Sequence, residues 1–241
     1  MRIQMEDSFE IVTAGAGDSR VLLTCEHASA RAPEPFAWHP DDAWLKDTHW
    51  SHDIGAADLT RDLAREWQAT AVLSRFTRLL ADPNRPEGHS ELFRSLAEGR
   101  PVRMNQGITE AEEETRLEAL YRAYHGAVDT QVRTKSAEIL FAVHSFTDVY
   151  EGAPRSLEVG ILFDSEADLA GHIAERIAQA GMRVALNEPY SGKEGLMYSV
   201  DHHATVHEKQ AIEIEVRQDL IVDGNFRRRL VEALSSALFS G

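Results

Sequence analysis

The sequence predicts a three-layer α/β/α domain built on a mixed, mostly parallel central sheet. Two observations carry this prediction. Strand-length apolar runs alternate with helix-period segments from end to end. Most of those runs are continuous rather than alternating, as strands are when helices cover both faces of their sheet. A chain of 241 residues is long enough for one domain, 1–241, with one large core.

In chain order the predicted strands are Glu10–Thr13, Arg20–Thr24, Ala71–Leu73, Glu138–Val143, Glu158–Phe163, Val184–Leu186 and Ala211–Val216. Helices are expected over Ser51–Gln68, Thr109–Lys135, Ser165–Ala180 and Gly224–Phe239. Thr109 and Glu112 have the spacing of a capping box, and Ser51 and Ser165 are residue types that cap helix N-termini. Two irregular stretches, Arg75–Gly107 and Asn187–Lys209, each follow a strand. Long loops in compact domains usually carry function, and α/β sheets place ligands beyond the carboxyl ends of their strands.

The net charge of −15, from 25 Lys and Arg against 40 Asp and Glu, repels a phosphate backbone, so nucleic acid is excluded as a partner. An anionic small molecule would need a locally basic pocket within that negative field. No apolar run approaches the roughly 20 residues that span a bilayer, so no membrane partner is expected. The first residues, MRIQMEDSFE, lack the apolar core of a secretory signal. The lone Cys25 fits a reducing compartment, which together point to a cytoplasmic location. Gly15-Ala16-Gly17 precedes a strand rather than a helix, so it is no dinucleotide loop. A nucleophile elbow and an H-E-x-x-H helix are both missing from the sequence.

Candidate site residues cluster at strand ends. His27 follows the second strand, and His144 follows the wholly apolar run Ile139–Val143, where burial should favour the neutral imidazole that a metal needs. Two His and one carboxylate form a ligand set that leaves one zinc position open. Asp53, at the start of the first predicted helix, is the favoured carboxylate. Glu26 is the competitor, although adjacent side chains on a continuing strand point to opposite faces. In Ile212–Arg217 strict alternation puts Glu213, Glu215 and Arg217 on one face and Ile212, Ile214 and Val216 on the other. Two carboxylates on an inner strand are costly unless they work or pair, and a Glu near a reacting water is the usual general base of amide hydrolysis. Arg75, Arg78, Arg85 and Arg217 could supply the basic pocket, since a guanidinium binds a carboxylate bidentately. Met197 and Tyr198 are pocket candidates. His203 and His207 have i, i+4 spacing suited to a metal, but their segment reads as loop.

Taken together, CEHAS at Cys25–Ser29, HDIGA at His52–Ala56, SR with DPNR across Ser74–Arg85, HSF at His144–Phe146 and EIEVRQD at Glu213–Asp219 resemble the N-formylglutamate amidohydrolase family. The order of these short motifs over most of the chain is what makes the match specific. That family is related to the zinc carboxypeptidases and aspartoacylases, so the resemblance implies a zinc-carboxypeptidase-like (phosphorylase/hydrolase-like) fold. It supports His27 and His144 as ligands but leaves the carboxylate open, because the carboxypeptidase relatives carry a Glu where this chain has Ala30.

The expected site is a divalent metal, zinc by expectation, on His27 and His144, which the resemblance supports, and on Asp53, the carboxylate favoured by its position. Glu215 is then the general base, Arg75 the oxyanion stabiliser, and Asn84 and Arg85 the clamp on a substrate carboxylate, assisted by Arg217. The expected partner is a small anionic N-acyl amino acid, N-formylglutamate foremost. The alternatives are a carboxypeptidase- or aspartoacylase-like deacylase of another N-acyl amino acid, a cysteine hydrolase using Cys25, and a catalytically inactive acyl-amino-acid binding protein.

Overall fold

A computed structural model of the protein describes residues 8–15, 19–150 and 152–239. The N-terminal seven residues and Ala16 and Gly17 of the Gly-rich stretch lie outside the described residues. Every predicted strand is present, all but the sixth with shifted ends: β1 (Phe9–Thr13), β2 (Val21–Cys25), β3 (Thr70–Ser74), β6 (Ile139–Phe146), β9 (Val159–Leu162), β10 (Val184–Leu186) and β11 (Gln210–Arg217). Between them, β4 (Leu96–Ala97) pairs with β5 (Arg100–Pro101), and β7 (Val149–Tyr150) with β8 (Ala153–Pro154). The main sheet has seven strands in the order β1-β3-β2-β6-β11-β9-β10. Its centre, β3-β2-β6-β11, is parallel, whereas β1 joins β3 and β9 joins β11 antiparallel.

Helices α1 (Ala56–Glu66), α4 (Ala167–Gln179) and α7 (Gly224–Phe239) cover one face, and α3 (Arg122–Thr134) and α5 (Tyr198–His207) the other. The continuous apolar strands explain this sandwich. In β6, Ile139, Phe141 and Val143 pack with α1 and α7, while Leu140 and Ala142 pack with α3 and α5. Each such Leu, Ile or Phe, fully buried, contributes about 1.5–3 kcal/mol.

The segment predicted as one helix over Thr109–Lys135 consists of α2 (Glu110–Arg116), a π-turn (Leu117–Tyr121) and α3. Thr109 caps it, accepting from the Glu112 amide at 3.2 Å. Neither serine cap forms. Ser51 Oγ donates to the carbonyls of Lys46 and Thr48 instead, and α1 starts after Gly55 at φ +83°, where a Cβ would stand 2.6 Å from Ile221 Cγ2. At α4 the capping position is Glu166, with no side-chain bond.

The stretch Asn187–Lys209, expected to be irregular, contains α5. Its sequence conceals the helix, because Val200, Thr205, Val206 and three histidines are weak helix formers. Its first turn is instead secured from far away, by the Ser199 amide donating to Asn84 Oδ1 at 2.9 Å across 115 residues. A short helix, α6 (Gln218–Ile221), follows β11. No helix among the described residues is long and apolar enough to cross a membrane.

Candidate active site

The carboxyl ends of the four parallel strands converge on one cleft of about 220 Å³. His27 reaches it from the turn after β2, His144 from near the end of β6, and Glu213 and Glu215 from β11. Alternation along β11 works as predicted: Ile212, Ile214 and Val216 enter the core under α1 and α7, which leaves both glutamates on the opposite face. Because β11 and β6 run parallel in register, Glu215 lies beside His144. The sheet, not a loop, sets their spacing.

Asp53 completes the group. Its amide donates to the His27 carbonyl at 2.9 Å, which ties the segment before α1 to the turn after β2. Asp53 Oδ2 lies 2.8 Å from His144 Nδ1 and 3.4 Å from His27 Nδ1. All three residues are buried, and their ligand atoms lie within 4.8 Å of one another. The outer nitrogen of each ring is held by another carboxylate. His27 Nε2 meets Asp82 Oδ1 at 2.7 Å, and His144 Nε2 meets Glu26 Oε2 at 3.0 Å. The two carboxylates stand on different sides of His144: Asp53 lies between the two imidazoles, and Glu26 stands behind His144, where Tyr124 Oη also donates to it at 3.1 Å.

Asp53, Asp82, Glu26, Glu213 and Glu215 are all buried around two imidazoles and the Arg78 guanidinium. Burial alone would depress the His144 pKa; Glu213, Asp53 and Glu26 outweigh it and hold it well above the usual imidazole range. The burial that favours a neutral His144 is thus opposed by the carboxylates around it, whose negative charge a bound cation would offset. Burial pushes the Glu213 carboxyl up to about 7, and Glu215 is likewise raised, with Asp53 and Glu213 adding repulsion. Burial would also raise Glu26, but its hydrogen bond to His144 wins and brings it down to about 2. His27 Nδ1 and one oxygen each of Glu213 and Glu215 are buried with no hydrogen-bond partner among the described residues. Buried polar atoms are normally satisfied, so these orphans, the surplus of anions and the paired Nδ1 atoms fit a divalent ion with nitrogen and oxygen ligands.

The arginines sort differently from the sequence expectation. Arg78, Arg85 and Arg94 line the cleft, and Arg75 and Arg217 do not. Arg75 follows β3 directly and its amide donates to the Ser8 carbonyl, whereas Arg78, three residues on, turns inward. Arg78 donates through Nε and Nη2 to Asp82 Oδ2 at 2.9 and 2.6 Å, and its Nη1 remains 3.7 Å from Asp53. Arg217 pairs with Asp219 and donates to the Arg155 carbonyl at 2.8 Å, so it braces the segment after β6. Asn84 lines the cleft, but its amide is engaged by the Ser199 N–H and the Leu196 carbonyl. Arg85 donates to the Asn84 carbonyl, and its own carbonyl accepts from Tyr121 Oη.

Met197 is core, and Tyr198 stacks on His202 instead of lining the cleft. His49, Trp50, Arg94 and Tyr190 are among the other residues of the wall; no local pattern marks them, since only the fold brings them there. Cys25 is fully buried and burial pushes its thiol up to about 12, which removes it as a nucleophile.

Parallel strand ends, a buried His-Asp-His group and a glutamate beside it describe a hydrolase site of the α/β type. The chain belongs to the N-formylglutamate amidohydrolase family, whose profile matches residues 19–222. It is an amidohydrolase. Among solved structures, a gene product of Agrobacterium tumefaciens is 31% identical, with 98% of this chain and 96% of that one covered and a TM-score of 0.88. N-formylglutamate amidohydrolase from Ralstonia eutropha JMP134 is 19% identical over 96% and 97% of the two chains, with a TM-score of 0.71, a likeness of fold. No curated protein matches the sequence.

Proposed function

We propose that this chain is a metal-dependent, cytoplasmic amidohydrolase that cleaves the amide of a small N-acyl amino acid, with N-formylglutamate the foremost substrate. The observation that carries the reading is the convergence of His27 Nδ1, His144 Nδ1 and Asp53 Oδ2, each imidazole backed on its other side by a carboxylate. These three residues would hold the ion, zinc by the chemistry of the donors. When bound it supplies Lewis acidity toward the amide carbonyl and a lowered pKa for water.

The rest falls to the protein. Glu215, beside His144 and with one buried oxygen that no described residue hydrogen-bonds, takes a proton from the attacking water and delivers it to the departing amine. Arg78 replaces Arg75 in stabilising charge on the carbonyl oxygen, because its Nη1 keeps donor capacity after Asp82 is satisfied. Arg85, with Arg94 shared by the exposed Glu91, binds the substrate carboxylates; two cations suit the two carboxylates of an acylated glutamate. Asn84 acts by holding the Arg85 guanidinium through its carbonyl and the start of α5 through its side chain.

The test is turnover of N-formyl, N-acetyl and N-succinyl amino acids by zinc-loaded enzyme, before and after chelation. Hydrolysis of N-formylglutamate that disappears with the metal and returns with zinc supports the reading. Stoichiometric binding of these compounds without turnover overturns it.

A further inference from the structure

Helices α3 and α5 bring a second set of ligand-type side chains together, and none of them lines the cleft. On α3, His125 and Asp129 are four residues apart, as are His203 and His207 on α5. That spacing puts each pair on one helix face. His207 Nε2 lies 2.8 Å from Asp129 Oδ1, and His125 Nδ1 lies 3.0 Å from His203 Nε2. Asp129, His203 and His207 offer ligand atoms that all lie within 4.8 Å of one another. His203 is buried, while the side chains of His207 and Asp129 are 16% and 36% exposed, which gives an ion a path in and a place for water.

We propose that Asp129, His203 and His207 form a second divalent-metal site, for zinc or a similar transition ion, that clasps α3 to α5. Two imidazoles and one carboxylate, with water in the fourth position, are a tetrahedral zinc set, and nitrogen ligands select such ions over magnesium or calcium. The clasp bears on the cleft from behind. Tyr124, next to His125, donates to the Glu26 carboxylate that holds His144, and the first turn of α5 is bonded to Asn84. An ion here therefore steadies both helices that support the first site.

Dialysis against zinc followed by elemental analysis tests the proposal. The wild-type chain is expected to keep about two equivalents and His207→Gln about one, with hydrolysis retained and a lower melting temperature. His27→Gln isolates the second site: it should keep an equivalent that the His27→Gln/His207→Gln double variant loses. If His27→Gln melts cooperatively yet holds no zinc, or if its zinc survives His207→Gln, the second site does not exist. Either result is independent of whether the first site works as described.

Discussion

Asp82 Oδ1 lies 2.7 Å from His27 Nε2, and the second oxygen of the same carboxylate accepts two hydrogen bonds from Arg78. One side chain from a long loop thus sets the tilt of an imidazole and parks a guanidinium beside the cleft. Asp82→Asn is expected to weaken zinc binding roughly 10–100-fold, the usual effect of losing a ligand's outer partner. A competitive chelator titration measures it. Unchanged affinity would mean that packing alone orients His27.

Glu215→Gln keeps the shape and hydrogen-bonding size of the side chain and removes its basicity. Turnover should fall by roughly 10²–10⁴, the typical worth of a general base, with zinc content unchanged. Steady-state kinetics beside elemental analysis separates this from loss of metal. A fully active Glu215→Gln enzyme would remove the proton-transfer role.

Arg85→Ala is expected to raise KM with kcat little changed, as when uniform substrate binding is lost. Replacing the substrate carboxylate by an amide should weaken the wild-type enzyme strongly and the variant hardly at all. Equal losses in both would place the carboxylate elsewhere.

Gly55→Ala probes the junction that carries Asp53. Its φ of +83° and the 2.6 Å approach to Ile221 oppose any Cβ, and the backbone strain alone is about 1–3 kcal/mol. Urea denaturation should show that loss of stability, whereas a neutral result would mean the segment relaxes freely.

Much of this architecture is legible in the residues, and the exceptions have physical causes. The apolar runs specify the sheet because burial on both faces leaves little alternative, and alternation in Ile212–Arg217 puts Glu213 and Glu215 where they stand. The carboxylates that orient the two imidazoles were not assignable, because Asp82 and Glu26 come from separate segments and only distance distinguishes an orienting partner from a ligand. Arg75 and Arg78 are alike in sequence, and the turn after β3 decides which faces inward. Helix α5 escaped because its stabilisation is tertiary: Asn84 caps it, and no residue beside it does.

The central claim is that a cation sits between His27, His144 and Asp53. Crystals grown with zinc and measured at its absorption edge test this most directly. An anomalous peak is expected about 2.0–2.2 Å from both Nδ1 atoms and an Asp53 oxygen; zinc-dependent hydrolysis by a protein with no such peak there would contradict this placement.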